Sequence, residues 1–525
     1  MLSDPLFSSR LAVSQKASTG MNVTLQQSSE RRLRLLVAIA SFGEKNLEFL
    51  KRIICNYQDM PMDVDVVVFS DAPKDLGDGV KVVVVVESLW PFFRRWPKNA
   101  GTEVKVVVGL PTARLWSLPF AHKDLFAQNL DKYDLFAYSE DDVLVTEANI
   151  HAFLRATPQL SPDEIAGFLR YEVDKSGNRS LPEFHGPFHW KPDSIAGRGD
   201  YTVAEFTNEH AAFYLLTQDQ LRKAIASGGF LRKPYDGRHD VLCTAATDPY
   251  LCCGFRKVIC ISALDDFLIH HLPNRYADKF GLSLEAVRDQ VQTLDRIYRR
   301  VHPASALCET ESRMPRRKWS KDYYEPPNEA FLKMVPGNAK NILSIGCGSG
   351  ASETELQKRG AQITAVPLDS IAGAAAERRG IAVVYGTLGE CLQSLDGRNF
   401  DCVLILDLLH LQPEPGRVLE QFSQLIRAGG TLVVCGPNFD RVPTFVRRTL
   451  RMNDYRKLRS FEQSGISVCG PKTLAPYIES AGLRTTAVRW LDDAASRGGS
   501  GKSNMWFGRL MAREWILQAR SIIAN

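Results

Sequence analysis

The chain has 525 residues, of which 44% are hydrophobic and 24% are charged. Typical domains have roughly 100–200 residues, so this length predicts several domains, each able to bury a core, and the composition excludes a disordered or fibrous chain. The 65 basic and 60 acidic residues leave a net charge of only +5, too small to point to nucleic acid as a partner.

Neither residues 1–30 nor the apolar runs predict secretion or a membrane span. Residues 1–30 are rich in Ser, Gln and Thr and lack an apolar core before a cleavage site, so we expect a mobile tail rather than a signal peptide. No apolar run reaches the roughly 18–20 residues that span a bilayer. The eleven cysteines are scattered through apolar runs, which favours buried thiols and a cytoplasmic location.

Apolar runs alternate with helical patterns through the first half of the chain. Such alternation indicates a parallel sheet that is covered on both faces. The polar stretch at residues 183–201 predicts a surface loop or lid. We therefore expect a doubly wound α/β domain over residues 31–305, with apolar runs at residues 33–40, 64–69, 81–86 and 133–138.

A second alternating series follows a shift in composition. Residues 306–335 are rich in charge and are broken by Pro315, Pro326 and Pro327, which predicts a linker. Residues 336–525 then predict a second doubly wound, Rossmann-like α/β domain. Its apolar runs lie at residues 341–345, 363–366, 383–385, 402–406, 431–435 and 506–511.

Three adjacent carboxylates, Glu140, Asp141 and Asp142, end an apolar run of the first domain. They repel one another and cost stability in a packed sheet unless a cation neutralises them. Ligands of open α/β sheets collect at the carboxyl ends of strands, where Asp71 also falls. The triplet therefore predicts a site for Mg²⁺ or Mn²⁺, which prefer oxygen ligands. A solvated turn is the alternative.

The strand that ends in this Glu-Asp-Asp form of the DXD signature resembles the A-type fold of nucleotide-sugar-dependent glycosyltransferases. The resemblance spans about residues 31–298 and includes Ser70-Asp71 and a late histidine. It implies a nucleotide contact at Asp71, metal and diphosphate binding by Asp142 with Glu140 or Asp141, and a late metal ligand at His270 or His271. It also implies a nucleotide-sugar donor and a glycan or glycolipid acceptor.

A carboxylate is needed in an inverting transfer to take the proton of the acceptor hydroxyl. Asp248, before Pro249 at a predicted helix start, and Glu209 are the candidates. A plain helix N-cap is the alternative role for Asp248, and a retaining enzyme would not use such a base. His185, His189 and Trp190 either contact a sugar or anchor their loop.

Three glycines, Gly346, Gly348 and Gly350, lie between a predicted strand and a predicted helix of the second domain. They allow the backbone to approach a ligand beside a helix N-terminus. Their spacing differs from the GxGxxG of the dinucleotide fold, so NAD fits less well. With the strand that opens at Phe400 and the following His410, the loop resembles class I S-adenosylmethionine-dependent methyltransferases over about residues 338–514, which implies that cofactor.

The second domain departs from this family at Ser344, Pro367 and Thr387, where acidic residues are usual. Asp369 lies two residues beyond Pro367 and would point to the same face if the strand continues, so it is a candidate to replace the missing carboxylate. Loss of these partners would weaken cofactor binding.

Groups for the acceptor are expected after the fourth strand of the second domain. Asp407 and His410 lie there, and an imidazole can act as the general base of an O-methyl transfer. A satisfied structural histidine is the alternative, and Asn438 is a second candidate. The basic residues between Arg447 and Arg459 suggest a solvated helix face, with peripheral contact to a membrane or an anionic acceptor as the alternative.

The sequence thus predicts a bifunctional, cytoplasmic enzyme of glycan assembly, which joins metal-dependent glycosyl transfer to O-methylation of a sugar hydroxyl. One alternative is a glycosyltransferase whose methyltransferase-like domain is a non-catalytic scaffold. Another is a non-catalytic protein that binds glycan or nucleotide. A nucleic-acid methyltransferase is disfavoured by the small net charge.

Overall fold

The computed structural model describes residues 32–76, 81–84, 104–112, 114–450, 453–491 and 510–522. The strands are β1 Arg34–Ser41, β2 Asp63–Ser70, β3 Lys81–Val84, β4 Val104–Val108, β5 Leu135–Glu140, β6 Val143–Leu144, β7 Glu164–Ala166, β8 Leu169–Val173, β9 Arg179–Leu181, β10 Ala196–Arg198, β11 Tyr201–Glu205, β12 Phe213–Thr217, β13 Arg256–Cys260, β14 Leu268–His271, β15 Leu282–Ser283, β16 Asn341–Cys347, β17 Gln362–Pro367, β18 Ala382–Val383, β19 Phe400–Leu406, β20 Ile426–Pro437, β21 Leu483–Leu491 and β22 Glu514–Ser521.

The helices are α1 Leu47–Gln58, α2 Ala121–Gln128, α3 Glu147–Ala156, α4 Gln218–Ala226, α5 Val241–Leu251, α6 Leu284–Tyr298, α7 Glu329–Leu332, α8 Ala351–Lys358, α9 Ser370–Arg378, α10 Leu388–Ser394, α11 Pro415–Ser423, α12 Val442–Thr449, α13 Phe461–Ser464 and α14 Pro471–Ser480. Across these described residues, no helix combines the length and the apolar character that a membrane span requires.

The first sheet has the order β12-β5-β1-β2-β4-β3. All its neighbours are parallel except β12, which is antiparallel to β5. The runs of Val, Leu and Ile in β1 and β2 are buried along almost their whole length, as expected for strands covered on both faces. The carboxyl ends of β1, β2 and β5 therefore meet at one edge, where the acidic triplet lies.

Two smaller sheets pack beside the first, with orders β10-β11-β13-β7 and β15-β9-β8-β14-β6. The stretch at residues 183–201 belongs to this region and is partly buried, so the prediction of a surface loop fits only its exposed residues. Trp190 is 1% exposed, and its indole Nε1 donates to Gln290 Oε1 over 3.0 Å. Its ring packs between those of Phe184 and Phe206, so these aromatic residues are core rather than lid.

The third sheet has seven strands in the order β18-β17-β16-β19-β20-β22-β21. The five strands from β18 to β20 in this order are parallel to one another. Strand β22 runs antiparallel to both of its neighbours, β20 and β21. The last strand that the structure describes is β22, which lies after the predicted strand at residues 506–511. Leu510 and Met511 are helical, and residues 506–509 lie outside the described part of the chain.

We call residues 299–340 the connecting segment, because they join α6 to β16. This segment carries few regular elements, as the prolines predicted, but it is not a solvent-exposed tether. Leu307 and Tyr323 are 2% and 6% exposed and belong to the apolar core under the seven-stranded sheet. Most of the connecting segment therefore lies against the carboxyl edge of that sheet.

Candidate functional site

A cavity of about 920 Å³ opens at the carboxyl ends of β19 and β20. The connecting segment forms one wall through Trp319 and Glu325, and the strand ends form the other. Asp407, His410 and Arg441 line it, and so does the predicted acceptor residue Asn438. Ligands of open α/β sheets bind at this edge.

His410 has a fixed orientation at the wall of this cavity. Its Nε2 atom lies 2.7 Å from the carbonyl oxygen of Trp319. A carbonyl can only accept a hydrogen bond, so Nε2 carries the hydrogen and Nδ1 holds the lone pair. Within the described part of the chain, the buried Nδ1 has no hydrogen-bond partner. Burial lowers the pKa of His410, which keeps the imidazole neutral and leaves the lone pair of Nδ1 unprotonated.

Two further polar atoms at this cavity are buried without a partner among the described residues. They are Asp407 Oδ1 and Arg441 Nε. Asp407 also has φ +51°, in the left-handed region that non-glycine residues rarely adopt. Backbone strain and unpaired buried polar atoms are both concentrated at binding sites. The cavity wall is therefore polar, and these buried atoms lack hydrogen-bond partners that a bound ligand would supply.

The glycine loop lies between β16 and α8, as the sequence predicted. Gly346 has φ +80° and Gly350 has φ +83°, so both need the conformational freedom of glycine. Gly348 is needed for space instead, since a Cβ there would lie 2.7 Å from the carbonyl oxygen of Tyr323. The connecting segment thus stands directly over the loop.

Two of the three positions where an acidic residue was missing, Ser344 and Thr387, have local roles in the structure. Ser344 donates to Glu353 Oε1 over 2.6 Å, so a buried carboxylate from α8 reaches the place that the sequence left without one. Thr387 caps α10. Asp369 caps α9 by accepting from the Ala372 amide over 2.7 Å. Its carboxylate is therefore already engaged in a helix cap.

The predicted acidic triplet lies at the carboxyl edge of the first sheet. Asp141 accepts from Ser41 Oγ over 2.6 Å and from Asn46 Nδ2 over 2.7 Å. Asp142 pairs with Arg275 over 2.8 Å and lies 3.3 Å from His271 Nε2. The structure thus brings the predicted pair Asp142 and His271 together.

The chain's own cations lie beside two of these three carboxylates, which the sequence did not indicate. Arg275 and His271 face Asp142, and the ammonium of Lys74 acts on Asp141. Asp141 and Asp142 therefore have positive partners within the chain itself. Within the described ranges, no group of three or more His, Cys, Asp or Glu side chains has an arrangement that could hold one.

The remaining predicted ligands point to different partners. His270 stacks on Tyr171 at 4.7 Å and contacts Asn274 at 3.2 Å, away from Asp142. Asp71 accepts from the Gly43 amide over 2.9 Å at the end of β2. Glu140 lies 3.6 Å from His210. Burial beside Asp142 raises the pKa of Glu140 to about 7, and burial raises that of Asp141 to about 6.

Neither predicted acceptor base of the first half is placed to act as one. Asp248 lies inside α5 rather than at its start, is fully buried, and pairs with Lys123 and with the Tyr235 hydroxyl. Burial alone would raise the pKa of Glu209, but His239 and Arg317 outweigh it and hold the pKa well below its usual range. A carboxylate with so low a pKa is a weak base. We therefore give both residues a structural role.

Comparison with known proteins matches the second half of the chain. Residues 343–434 match a family model described as "Methyltransferase domain". With the strand order of the third sheet, this match shows a class I S-adenosylmethionine-dependent methyltransferase fold. We call residues 341–522 the methyltransferase domain.

Two curated relatives are Ubiquinone biosynthesis O-methyltransferases. That of Coxiella burnetii (strain Dugway 5J108-111) is 30% identical over 97 residues, which are 18% of this chain and 42% of the relative. That of Xanthomonas axonopodis pv. citri (strain 306) is 25% identical over 188 residues, which are 33% of this chain and 77% of the relative. The chain therefore spans less than half the length of the Coxiella burnetii relative.

A solved structure with a similar fold is the N-methyltransferase NodS from Bradyrhizobium japonicum WM9 in complex with S-adenosyl-l-homocysteine. It is 16% identical, with a TM-score of 0.27, and the alignment covers 37% of this chain and 85% of that protein.

Proposed function

We propose that the chain is an S-adenosylmethionine-dependent methyltransferase that transfers a methyl group to a hydroxyl of its acceptor. The orientation of His410 carries this proposal. With Nε2 fixed on the Trp319 carbonyl, the buried Nδ1 keeps an unpaired lone pair among the described residues, and His410 lines a cavity large enough for an acceptor. A neutral imidazole in this position can take the proton of a hydroxyl.

The residues at the glycine loop fit the cofactor in backbone shape. Gly346 and Gly350 turn the chain at the N-terminus of α8, and Gly348 leaves room for a close approach. Glu353, through Ser344, supplies a carboxylate behind the loop. When bound, S-adenosylmethionine supplies an electrophilic methyl group. Asp407, at the adjoining strand end, would position the acceptor or the cofactor.

Each polar group at the cavity has a separate role in the proposed O-methyl transfer. Asp407 Oδ1 and Arg441 Nε supply an acceptor and a donor for the polar groups of the bound molecule. His410 Nδ1 accepts the hydroxyl proton, and the Trp319 carbonyl stabilises the resulting imidazolium through Nε2. Both curated relatives are named as O-methyltransferases, which supports a hydroxyl acceptor.

The test is transfer of labelled methyl from S-adenosylmethionine by the full chain to two matched panels of acceptors. One panel presents sugar and phenol hydroxyls, and the other presents amines of similar size. We expect labelled product from the hydroxyl panel. Transfer to amines alone, or to neither panel, would contradict the proposal.

Glycosyl transfer by the first half is a second candidate, and one observation favours it. Asp71, Asp141 and Asp142 gather at the carboxyl edge of the first sheet, and Asp142 Oδ1 is buried without a partner among the described residues. Within 3.3 Å of Asp142 lies His271, the late histidine that the resemblance implied. A hydroxyl of an incoming nucleotide-sugar donor would supply the missing partner of Asp142 Oδ1.

This candidate is tested with a panel of nucleotide sugars and Mn²⁺. Turnover by the unmodified chain that is lost in Asp142→Asn supports it, and the exposed Asp219→Asn serves as the matched control. The absence of turnover across the panel would leave methyl transfer as the sole activity of our account.

A further inference from the structure

The connecting segment covers the glycine loop of the methyltransferase domain and contacts the residues that follow β17 and β19. We propose that two parts of this segment, residues 305–310 and residues 321–325, occupy the cofactor site as an internal ligand and must withdraw before S-adenosylmethionine binds, while Trp319 between them stays on His410. This inference rests on the proposed function, because it concerns the same site.

The first part of the segment fills the place at the end of β17. The Leu307 amide donates to the Leu368 carbonyl over 2.9 Å, and the Leu307 carbonyl accepts from the Leu388 amide over 3.3 Å. Ala306 and Asp369 form an antiparallel bridge beside them. These contacts lie between the carboxyl end of β17 and Thr387 at the start of α10, at the edge of the sheet where ligands of open α/β sheets bind. Leu307, at 2% exposure, lies between these two positions.

The second part of the segment covers the glycine loop itself. The Tyr323 carbonyl occupies the space that the missing side chain of Gly348 leaves open. The Tyr323 ring is buried, and its hydroxyl contacts Thr310 over 3.0 Å. A glycine that leaves space for a ligand's close approach here accommodates the chain's own backbone.

Lys321 adds an electrostatic likeness to the cofactor. Its ammonium is buried and lies 2.5 Å from Glu325 Oε1. Burial lowers the pKa of Lys321, but the carboxylates of Glu325 and Asp407 outweigh it and raise the pKa overall, so the group is charged. S-adenosylmethionine carries a positively charged sulfonium group. The Lys321 ammonium therefore places a positive charge at the same edge of the sheet where the sulfonium would bind.

The segment is also held by the first half of the chain. The Tyr323 amide donates to the Gly186 carbonyl over 2.9 Å, and the Tyr323 ring stacks on His189 at 4.3 Å. Arg317 pairs with Glu209 over 2.7 Å. These contacts lie outside the methyltransferase domain, so they can be weakened without altering the glycine loop or His410.

The experiment measures binding of S-adenosylhomocysteine to the full chain by calorimetry. Leu307→Ala removes the side chain that lies between the end of β17 and Thr387. His189→Ala removes the stacking partner of Tyr323. Arg316→Ala, on an exposed residue of the same segment, is the control. Backbone hydrogen exchange at the amides of Leu307 and Leu388 is followed with and without the ligand.

Because only molecules with the segment withdrawn can bind, the apparent affinity is lowered in proportion to the fraction of such open molecules. We therefore expect both variants to bind at least tenfold more tightly than the unmodified chain and Arg316→Ala. We also expect saturating ligand to accelerate exchange at Leu307 and Leu388. If Leu307→Ala does not fold, His189→Ala and the exchange measurement decide.

Two results would overturn the inference, and they differ in what they say of the proposed function. Equal affinities with unchanged exchange at Leu307 would show that the ligand binds beside a segment that stays in place, and the proposed function would stand. No binding to the unmodified chain or to any folded variant would overturn the internal ligand and the proposed function together.

Discussion

The Nε2 atom of His410 lies 2.7 Å from the carbonyl oxygen of Trp319, a residue 91 positions earlier in the connecting segment. Because the carbonyl only accepts, this contact fixes the tautomer of the imidazole and leaves Nδ1 as the basic atom at the cavity. The catalytic form of the proposed base therefore depends on a segment outside the seven-stranded sheet. This relationship carries several measurable consequences.

The first prediction concerns the pH dependence of methyl transfer. Burial lowers the pKa of His410, so the basic, neutral form persists below the ordinary value near 6.5. We expect the rate at saturating substrates to be level from about pH 6.5 to pH 8 and to fall only in more acidic buffers. A rate that climbs tenfold per pH unit through this range would contradict a neutral His410.

The second prediction compares two glycines of the methyltransferase domain. In Gly348→Ala the new Cβ would lie 2.7 Å from the Tyr323 carbonyl, and we expect a loss of about 1–3 kcal/mol in the free energy of unfolding. In Gly389→Ala, inside α10, no atom lies within 4 Å of the new Cβ, and we expect a gain of up to about 1 kcal/mol. Urea unfolding measures both.

Equal effects of the two substitutions would contradict the close approach of the connecting segment to the loop. A loss in Gly389→Ala alone would do so as well, since only Gly348 faces Tyr323.

The third prediction concerns the contacts that join the connecting segment to the first half. Arg317 is 4% exposed and pairs with Glu209 and Glu311. Arg317→Ala leaves two largely buried carboxylates with one cation fewer, and we expect a loss of about 3–5 kcal/mol in stability. The neighbouring Arg316→Ala removes only an exposed pair and should change stability by less than about 0.5 kcal/mol.

Thermal unfolding at one pH and salt concentration separates these two variants. A similar melting temperature for both would mean that Arg317 does not anchor the segment.

The fourth prediction follows from the acidic triplet. Burial beside Asp142 raises the pKa of Glu140 to about 7, so ionising this carboxyl in the folded state is costly. That cost is fully present above about pH 7 and disappears below the unfolded pKa near 4.3. Glu140→Gln should therefore raise the melting temperature at pH 8 and have little effect at pH 4.

The exposed Glu479→Gln is the matched control and should show no such dependence on pH. A difference between Glu140→Gln and the unmodified chain that stays constant from pH 4 to pH 8 would contradict the raised pKa of Glu140.

The sequence predicted the fold better than the sites. The apolar runs of β1, β2, β16 and β19 are local features, so their periodicity sufficed to predict two parallel sheets. The glycine loop was likewise predicted, because the strand, glycines and helix are contiguous in sequence.

The sites depend on residues that are distant in sequence. The charge on Asp142 is balanced by Arg275, 133 residues later, and no local pattern marks that arginine as its partner. Asp248 resembled a helix start because Pro249 follows it, yet the helix begins at Val241 and is capped by Asp240. The close approach of Tyr323 to Gly348 arises from the path of the connecting segment, which its composition alone cannot predict.

The proposed role of His410 as the general base is tested most directly by the initial rate of methyl transfer in His410→Ala. The rate is compared with that of the unmodified chain at saturating S-adenosylmethionine with a hydroxyl acceptor. Loss of a general base typically lowers the rate by about 10²–10⁴-fold. We predict a loss in this range, with the affinity for S-adenosylhomocysteine unchanged because His410 lies outside the glycine loop. Transfer by His410→Ala at the rate of the unmodified chain would contradict the account.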